Sequence, residues 1–136
     1  MKVVPDANVL FSALLKSGLT RRLWFDPALE LLAPRHLAVE FSKYREELRQ
    51  KYSGSSEEFD QLVFTLLGSL RWTSDEALFA FLPAAATLSA DSKDWLYLAC
   101  ALKEDASIWT HDHHFGHQTR VKVLATKVLA EKLGVL

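Results

Sequence analysis

Short apolar runs alternate with longer amphipathic segments along this chain. The short runs are rich in β-branched or other apolar residues and are bounded by proline or polar residues, which is typical of buried strands. They cover residues 2–5, 30–33, 71–73, 107–110 and 121–124. The run at 71–73 has the weakest pattern. We therefore predict short buried strands at these positions.

Apolar residues recur with helical spacing in the segments between these runs. The predicted helices are 7–15, a segment opening at Pro34, a segment capped by Ser55 or Ser56, a stretch ending near residue 86, a segment around 95–102, and 127–133. The apolar face of the second helix consists of Leu37, Phe41, Tyr44 and Leu48. We expect this face to pack against the core.

The alternation of strands and helices predicts the fold class. A strand that is followed by a helix and then by another strand forms a parallel pair, and helices then cover both faces of the sheet. The sequence therefore predicts an α/β protein with a parallel sheet.

Composition supports one soluble domain over residues 1–136. The chain is 49% hydrophobic and 24% charged, so it has enough apolar residues for a core and does not resemble a disordered protein. It contains neither a membrane-spanning apolar stretch nor a signal-peptide pattern. Cys100 is the only cysteine, which excludes an intrachain disulfide and a cysteine-based zinc site. We expect a cytoplasmic protein without a membrane partner.

Charge restricts how the protein binds its partners. The formal net charge is −1, which argues against nucleic-acid binding through a bulk positive potential. Acidic residues outnumber basic ones between 57 and 112, and basic residues dominate after 113. This distribution is compatible with an acidic site flanked by basic arms, and also with ordinary solvated helix faces.

Two acidic residues follow predicted strands directly. Asp6 comes after the first strand, and Asp112 comes two positions after Thr110 at the tip of another. Ligand sites of parallel sheets lie beyond the carboxyl ends of the strands, so both carboxylates are expected at one edge. Each acid by itself is also explained as a helix or turn cap.

Three further acids are expected near that edge. Glu40 lies on the core-facing side of its helix, where a carboxylate is costly unless it is paired or bound to a cation. Asp91 and Asp94 are three residues apart at the start of a helix and share one face. An ion pair for Glu40 and a capping role for one of the aspartates are the structural alternatives.

Clustered carboxylates repel one another unless a cation offsets their charge. Oxygen ligands suit Mg²⁺ or Mn²⁺ better than zinc, and such ions assist displacement at phosphorus. The acids therefore indicate metal-dependent phosphodiester hydrolysis.

The order of these motifs resembles that of the PIN-domain ribonucleases. The matching segments are Asp6-Ala7-Asn8, Glu40 in its helix, Asp91-x-x-Asp94-Trp95-Leu96-Tyr97-Leu98-Ala99-x-Ala101, and Thr110-x-Asp112-x-x-Phe115. The resemblance extends from Lys2 to about Ala130, and the length is similar to that of the VapC-type toxins of toxin-antitoxin pairs.

The resemblance implies a three-layer α/β/α sandwich around a parallel sheet of roughly five strands. It also implies an endoribonuclease that uses Mg²⁺ or Mn²⁺ to activate water, often as a homodimer and sometimes held inactive by a cognate antitoxin. The catalytic and metal-binding quartet is then Asp6, Glu40, Asp94 and Asp112. Asn8, Asp91 and Thr110 match supporting positions.

Two features of the sequence allow more than one interpretation. Many relatives carry another acid where this chain has His113 and His114, which leaves a second metal position in question. Lys43, Arg45 and Arg49 lie on the helix of Glu40 and are candidates for contacting RNA, although a solvated face explains them equally well.

Two other functions compete with the nuclease. One is a catalytically silent PIN-like domain that binds RNA or protein. The other is a haloacid-dehalogenase-like phosphohydrolase in which Asp6 forms a phosphoenzyme, although that family expects an acid where this chain has Asn8.

Overall fold

The computed structural model describes residues 1–112, 115 and 117–136, and they form a parallel sheet flanked by helices. The strands are β1 (Lys2–Pro5), β2 (Glu30–Pro34), β3 (Leu70–Thr73), β4 (Ser107–Trp109) and β5 (Val123–Leu124). All pairings are parallel, in the spatial order β3-β2-β1-β4-β5. The predicted fold class is therefore confirmed.

Eight α-helices lie within the described ranges. They are α1 (Ala7–Leu15), α2 (Leu19–Trp24), α3 (His36–Lys51), α4 (Ser56–Gly68), α5 (Asp75–Leu78), α6 (Leu82–Leu88), α7 (Trp95–Glu104) and α8 (Thr126–Lys132). Short 3₁₀ turns at Phe79–Phe81 and Ser92–Asp94 precede α6 and α7. None of these helices is both long enough and apolar enough to cross a membrane.

The strand order locates the edge at which a ligand binds. From β1 the chain builds outward through β2 to β3, and it later returns to place β4 and β5 on the other side of β1. Val4 pairs with Ile108 across β1 and β4 in register, so the carboxyl ends of both strands reach the same edge. Because the topology reverses between these two strands, a crevice opens there.

Burial of the central strands explains their continuous apolar sequence. Val3 and Val4 of β1 are fully buried, as are Leu32 of β2 and Ile108 of β4. Strands covered by helices on both faces have no solvent-facing positions, and they therefore show no alternation of polar and apolar residues.

Helix ends follow the capping signals of the sequence. Ser55 caps α4 in a reciprocal capping box with Glu58, which settles the choice between Ser55 and Ser56. The box satisfies two backbone donors at the start of the helix. Helix α7 ends at Glu104, and the next residue, Asp105, stops it by adopting a left-handed conformation with φ at 52°.

Several predicted boundaries differ from those of the structure. Pro34 ends β2 and does not open α3, because the next residue, Arg35, still donates its backbone N–H to Thr73 O at 2.9 Å. The helical stretch predicted to end near residue 86 is divided into α5, a 3₁₀ turn and α6, which ends at Leu88. Val121 lies before the two-residue β5, and Thr110 lies after β4.

Helix α2 and the exposure of Tyr44 were also not anticipated. Trp24, at the end of α2, is buried against Trp109 with ring centroids 6.0 Å apart, and its Nε1 donates to Leu66 O at 3.0 Å. Tyr44 was expected in the core with its helical neighbours, but 45% of it is exposed.

Candidate active site

Asp6 lies at the point where β1 turns into α1. Its Oδ1 accepts the backbone N–H of Val9 at 2.9 Å, so the carboxylate caps the helix. Its own N–H donates to Trp109 O at 3.0 Å, which ties the end of β1 to the end of β4. Only 7% of Asp6 is exposed, so this charge is held at a fixed position with little access to water.

Thr110 connects Asp6 to Asp112. Its buried hydroxyl donates to Asp6 Oδ2 and accepts the backbone N–H of Asp112 at 2.9 Å. One side chain therefore fixes both the orientation of the first acid and the backbone of the last. A supporting role of Thr110 in function stays a prediction.

Asp94 ends the 3₁₀ turn that precedes α7. It is 6% exposed, and its Oδ2 accepts the hydroxyl of Ser89 at 2.8 Å. Asp91, in contrast, is exposed and accepts the backbone N–H of Lys93 at 3.0 Å, which makes it the cap of the turn. The capping alternative therefore explains the position of Asp91, but it does not explain why Asp94 is buried.

Glu40 is held from two helices. The hydroxyl of Tyr97 on α7 donates to its Oε1 at 2.5 Å, and His36 Nε2, one turn earlier on α3, lies 3.3 Å from the same oxygen. Burial raises the pKa of Tyr97 far above its ordinary value, and the hydrogen bond to the Glu40 carboxylate raises it further. Tyr97 therefore stays protonated and acts as a hydrogen-bond donor.

One cleft with a volume of about 500 Å³ brings these acids together. Six of the site residues that were predicted from the sequence line this cleft: Asp6, Asn8, Glu40, Asp91, Asp94 and Asp112. The cleft opens at the carboxyl edge of the sheet, between β1 and β4, where the strand order reverses direction. Residues far apart in sequence thus meet around a single space.

The electrostatics of the cleft favour an added cation. Burial raises the pKa of Asp6, and hydrogen bonds from Thr110 and Val9 only partly oppose this effect. The charge of Asp112 adds to the rise, while His111 lowers it. Across the described part of the chain, no ion pair joins Asp6 to a lysine or arginine. Its negative charge is therefore solvated mainly by one hydroxyl and one backbone N–H.

The donor atoms fit a hard divalent cation with few protein ligands. Within residues 1–112, 115 and 117–136, no three His, Cys, Asp or Glu side chains converge closely enough to hold an ion together. Mg²⁺ usually retains several waters and uses one or two carboxylates, so it does not need such a group. Asp6 and the backbone of Asp112 are linked through Thr110, and the side chains of Asp6, Asp112, Asp94 and Glu40 all line the cleft.

The predicted basic residues lie elsewhere. Arg45 pairs with Asp60 at 2.9 Å, and its guanidinium lies over the Phe59 ring. Lys43 and Arg49 are exposed and do not line the cleft. Among the described residues, its basic lining residues are Lys51 and Lys93. An RNA-contacting role for Lys43, Arg45 and Arg49 stays a prediction.

Two functional candidates were missed by sequence reasoning. Ser89 donates its hydroxyl to Asp94, and Tyr97 donates its hydroxyl to Glu40. The only sequence signal for the first contact was that Ser89 and Asp94 are close in sequence. No sequence signal pointed to the second contact. His113 and His114 lie outside the described residues, and His111 Nε2 contacts Thr126 Oγ1 at 2.5 Å.

Comparison with protein families gives one match over nearly the whole chain. The family described as PIN domain matches residues 3–133, a range that includes every acid of the cleft. No curated protein matches the chain.

Proposed function

Because the chain belongs to the PIN-domain family, which is a family of nucleases, we propose that it is an endoribonuclease dependent on Mg²⁺ or Mn²⁺. The observation that carries the proposal is the arrangement of four carboxylates around one cleft at the topological switch point of the sheet. They are Asp6, Glu40, Asp94 and Asp112.

The cofactor and the acids have complementary roles. A divalent cation, when bound, offsets the charge of the acids and the phosphate and makes water a stronger nucleophile. The protein orients the acids through three hydroxyls: Thr110 donates to Asp6, Ser89 to Asp94, and Tyr97 to Glu40. Each hydroxyl fixes one carboxylate oxygen, so little reorganisation is needed when charge develops on the substrate.

The test is cleavage of a labelled structured RNA that also contains unpaired segments. Wild type, Asp6→Asn and Asp105→Asn are purified identically and assayed with Mn²⁺, with Mg²⁺ and with EDTA. Asp105 is an exposed residue at the end of α7, so its substitution is the matched control for loss of one negative charge. We expect metal-dependent cleavage by wild type and Asp105→Asn, and its loss in Asp6→Asn.

Equal cleavage by all three proteins would indicate a contaminating ribonuclease and contradict the proposal. Absence of cleavage with retained RNA binding would favour the catalytically silent domain. The phosphohydrolase alternative has less support, because the chain belongs to a nuclease family and carries Asn8 where that alternative expects an acid.

We further propose that the protein is a cytoplasmic toxin held inactive by a cognate antitoxin. The support is the resemblance in motif order and length to VapC-type toxins. Induced expression in bacteria is expected to arrest growth, and Asp6→Asn is expected to abolish the arrest. A small co-encoded protein that relieves the arrest would identify the antitoxin, whereas equal toxicity of both forms would contradict this role.

The same resemblance supports a homodimer. Light scattering of the purified protein is expected to give twice the chain mass of 15.4 kDa. A monomer mass at micromolar concentration would contradict this expectation without affecting the proposed chemistry.

A further inference from the structure

The cleft continues beyond the acids as a groove between α1 and α3. Phe11 and Leu15 of α1 and Tyr44 and Leu48 of α3 line this extension. The lining positions of α3 extend from Glu40 to Lys51, about 16 Å along the helix axis. The groove is therefore longer than a site for one phosphate requires.

Tyr44 is the most exposed aromatic residue of this groove. Its neighbours on the apolar face of α3, Phe41 and Leu48, are buried, whereas 45% of Tyr44 is accessible. Its ring packs against Phe11 in an edge-to-face contact, with centroids 5.7 Å apart and planes at 64°. This contact restrains the ring while leaving much of it open to a ligand.

The position of Tyr44 relative to the acids suits one nucleotide. Tyr44 follows Glu40 by one helical turn, so the Cβ atoms of the two residues are about 6 Å apart. That separation is comparable to the reach from a phosphate to the base of the same nucleotide. A phosphodiester held at the acids therefore brings an adjacent base close to the Tyr44 ring.

The basic side chains of the groove provide only weak attraction for the phosphates of a nucleic acid. Among the described residues, Lys51 and Lys93 are the basic residues that line the cleft, and Lys51 lies 3.6 Å from Glu47, which also lines the groove and partly offsets the charge of Lys51. A nucleic-acid ligand therefore needs a contribution other than phosphate pairing, and stacking on an aromatic ring provides one for any base.

We propose that Tyr44, supported by Phe11, is a stacking subsite for an unpaired nucleobase of the strand that reaches the acids. The proposal rests on the proposed nuclease function and names Tyr44 as the residue of this chain that receives a base next to the acids. Bases of a duplex are stacked on one another and do not offer a free face to a side chain. A fully paired RNA is therefore excluded from this subsite.

The test measures binding of a short unstructured oligoribonucleotide, labelled with a fluorophore, by fluorescence anisotropy. Asp94→Asn is the parent, so that binding is measured without cleavage. Tyr44→Leu removes the ring, Tyr44→Phe keeps it, and Phe64→Leu is the matched control because Phe64 is 81% exposed on α4 and outside the cleft. Melting temperatures identify any variant that fails to fold.

We expect Tyr44→Leu to weaken binding roughly ten-fold, while Tyr44→Phe and Phe64→Leu stay within about two-fold of the parent. The fully paired duplex of the same sequence is expected to bind the parent at least about ten-fold more weakly. In the cleaving background, the same ring dependence is expected in KM with kcat preserved.

Equal affinities of folded Tyr44→Leu and Phe64→Leu would overturn the subsite, as would an absence of oligonucleotide binding to the parent or equal binding of the duplex. If the parent binds no oligonucleotide, a peptide becomes the better candidate occupant. These outcomes are separate from the fate of the nuclease proposal, because cleavage by wild type and its loss in Asp6→Asn are measured independently of Tyr44.

Discussion

The two edges of the parallel sheet both hold carboxylates, but they stabilise them in opposite ways. At the amino edge, Glu104 accepts hydrogen bonds from Arg71 at 2.7 Å and Lys103 at 3.0 Å, and Lys2 lies 3.8 Å away. The hydrogen bonds from Arg71 and Lys103 lower the pKa of Glu104 to about 2. At the carboxyl edge, Asp6 has a hydroxyl and a backbone N–H as partners, and burial raises its pKa.

The difference separates an acid that stabilises the fold from acids that are suited to bind a ligand. Cations of the protein already offset the charge of Glu104, so an additional cation has little to gain there. At the carboxyl edge, neutral donors hold Asp6, which costs stability in the absence of a ligand and leaves the charge of Asp6 available to one. The comparison predicts opposite responses to neutralising an acid at each edge.

The largest expected contrast is in catalysis. Asp94→Asn is expected to lower RNA cleavage by on the order of 1,000-fold, because it removes a buried charge from the cleft. Glu104→Gln is expected to leave the specific activity of folded protein within about two-fold of wild type. Steady-state rates with Mn²⁺ test both variants. Comparable losses of activity would show that the two edges do not divide function from stability as described.

The next contrast concerns Tyr97, which connects α7 to Glu40. Tyr97→Phe removes one oxygen from a buried ring and is expected to weaken Mn²⁺ binding by about ten-fold, because Glu40 loses its fixed orientation. Tyr52→Phe is the matched control, since the Tyr52 ring packs on Phe59 away from the acids. Calorimetric titration of RNA-free protein with Mn²⁺ measures the effect. The same affinity in both variants would remove Tyr97 from the site.

A smaller effect is expected at the amino edge. Glu104→Gln is expected to reduce the free energy of unfolding at pH 7 by about 1 kcal/mol, since its partners are half exposed and remain solvated. The exposed Glu46→Gln is the control. Urea denaturation measures both variants.

The pH dependence of this effect has a definite sign. The pKa of Glu104 is near 4.5 in the unfolded chain and about 2 in the folded protein, so its contribution is fully present above pH 4.5. The contribution decreases as the pH falls toward 2. A difference between wild type and Glu104→Gln that grows on acidification would contradict this assignment.

The smallest expected effect is a gain in stability at the carboxyl edge. Asp6→Asn keeps an N-cap acceptor and removes a charge that burial disfavours, so without divalent cations it is expected to raise Tm by roughly 3 °C at pH 7. Because the folded pKa of Asp6 is raised, the gain is present above that pKa and disappears as acid protonates the wild-type residue. Thermal scans at several pH values measure it, and a lower Tm at neutral pH would show that the charge supports the fold.

The parts of the fold with strong local signals were predictable from sequence. Pro5 ends β1 and Asp6 caps α1, and both elements have the predicted bounds. Placing Asp6 and Asp112 at one edge required only the rule that parallel strands end together. Helix α2 was missed because six residues complete less than two turns and show no clear periodicity.

The partners of the acids were harder to predict, for a physical reason. Tyr97 and Glu40 are 57 positions apart, and their contact depends on how α3 and α7 pack against the sheet. Periodicity identified the face of α3 that carries Tyr44. It did not reveal that solvent reaches this position of the face.

Thermal unfolding with and without Mn²⁺ tests the central claim most directly, when wild type, Asp6→Asn and Glu104→Gln are compared. A ligand that binds only the folded state stabilises it by about 2.7 kcal/mol at one hundred times its dissociation constant. The account predicts that Mn²⁺ raises the Tm of wild type and Glu104→Gln by the same several degrees and leaves Asp6→Asn nearly unchanged. Equal shifts in all three proteins, or a shift lost only in Glu104→Gln, would contradict the assignment of the carboxyl edge as the cation-binding centre.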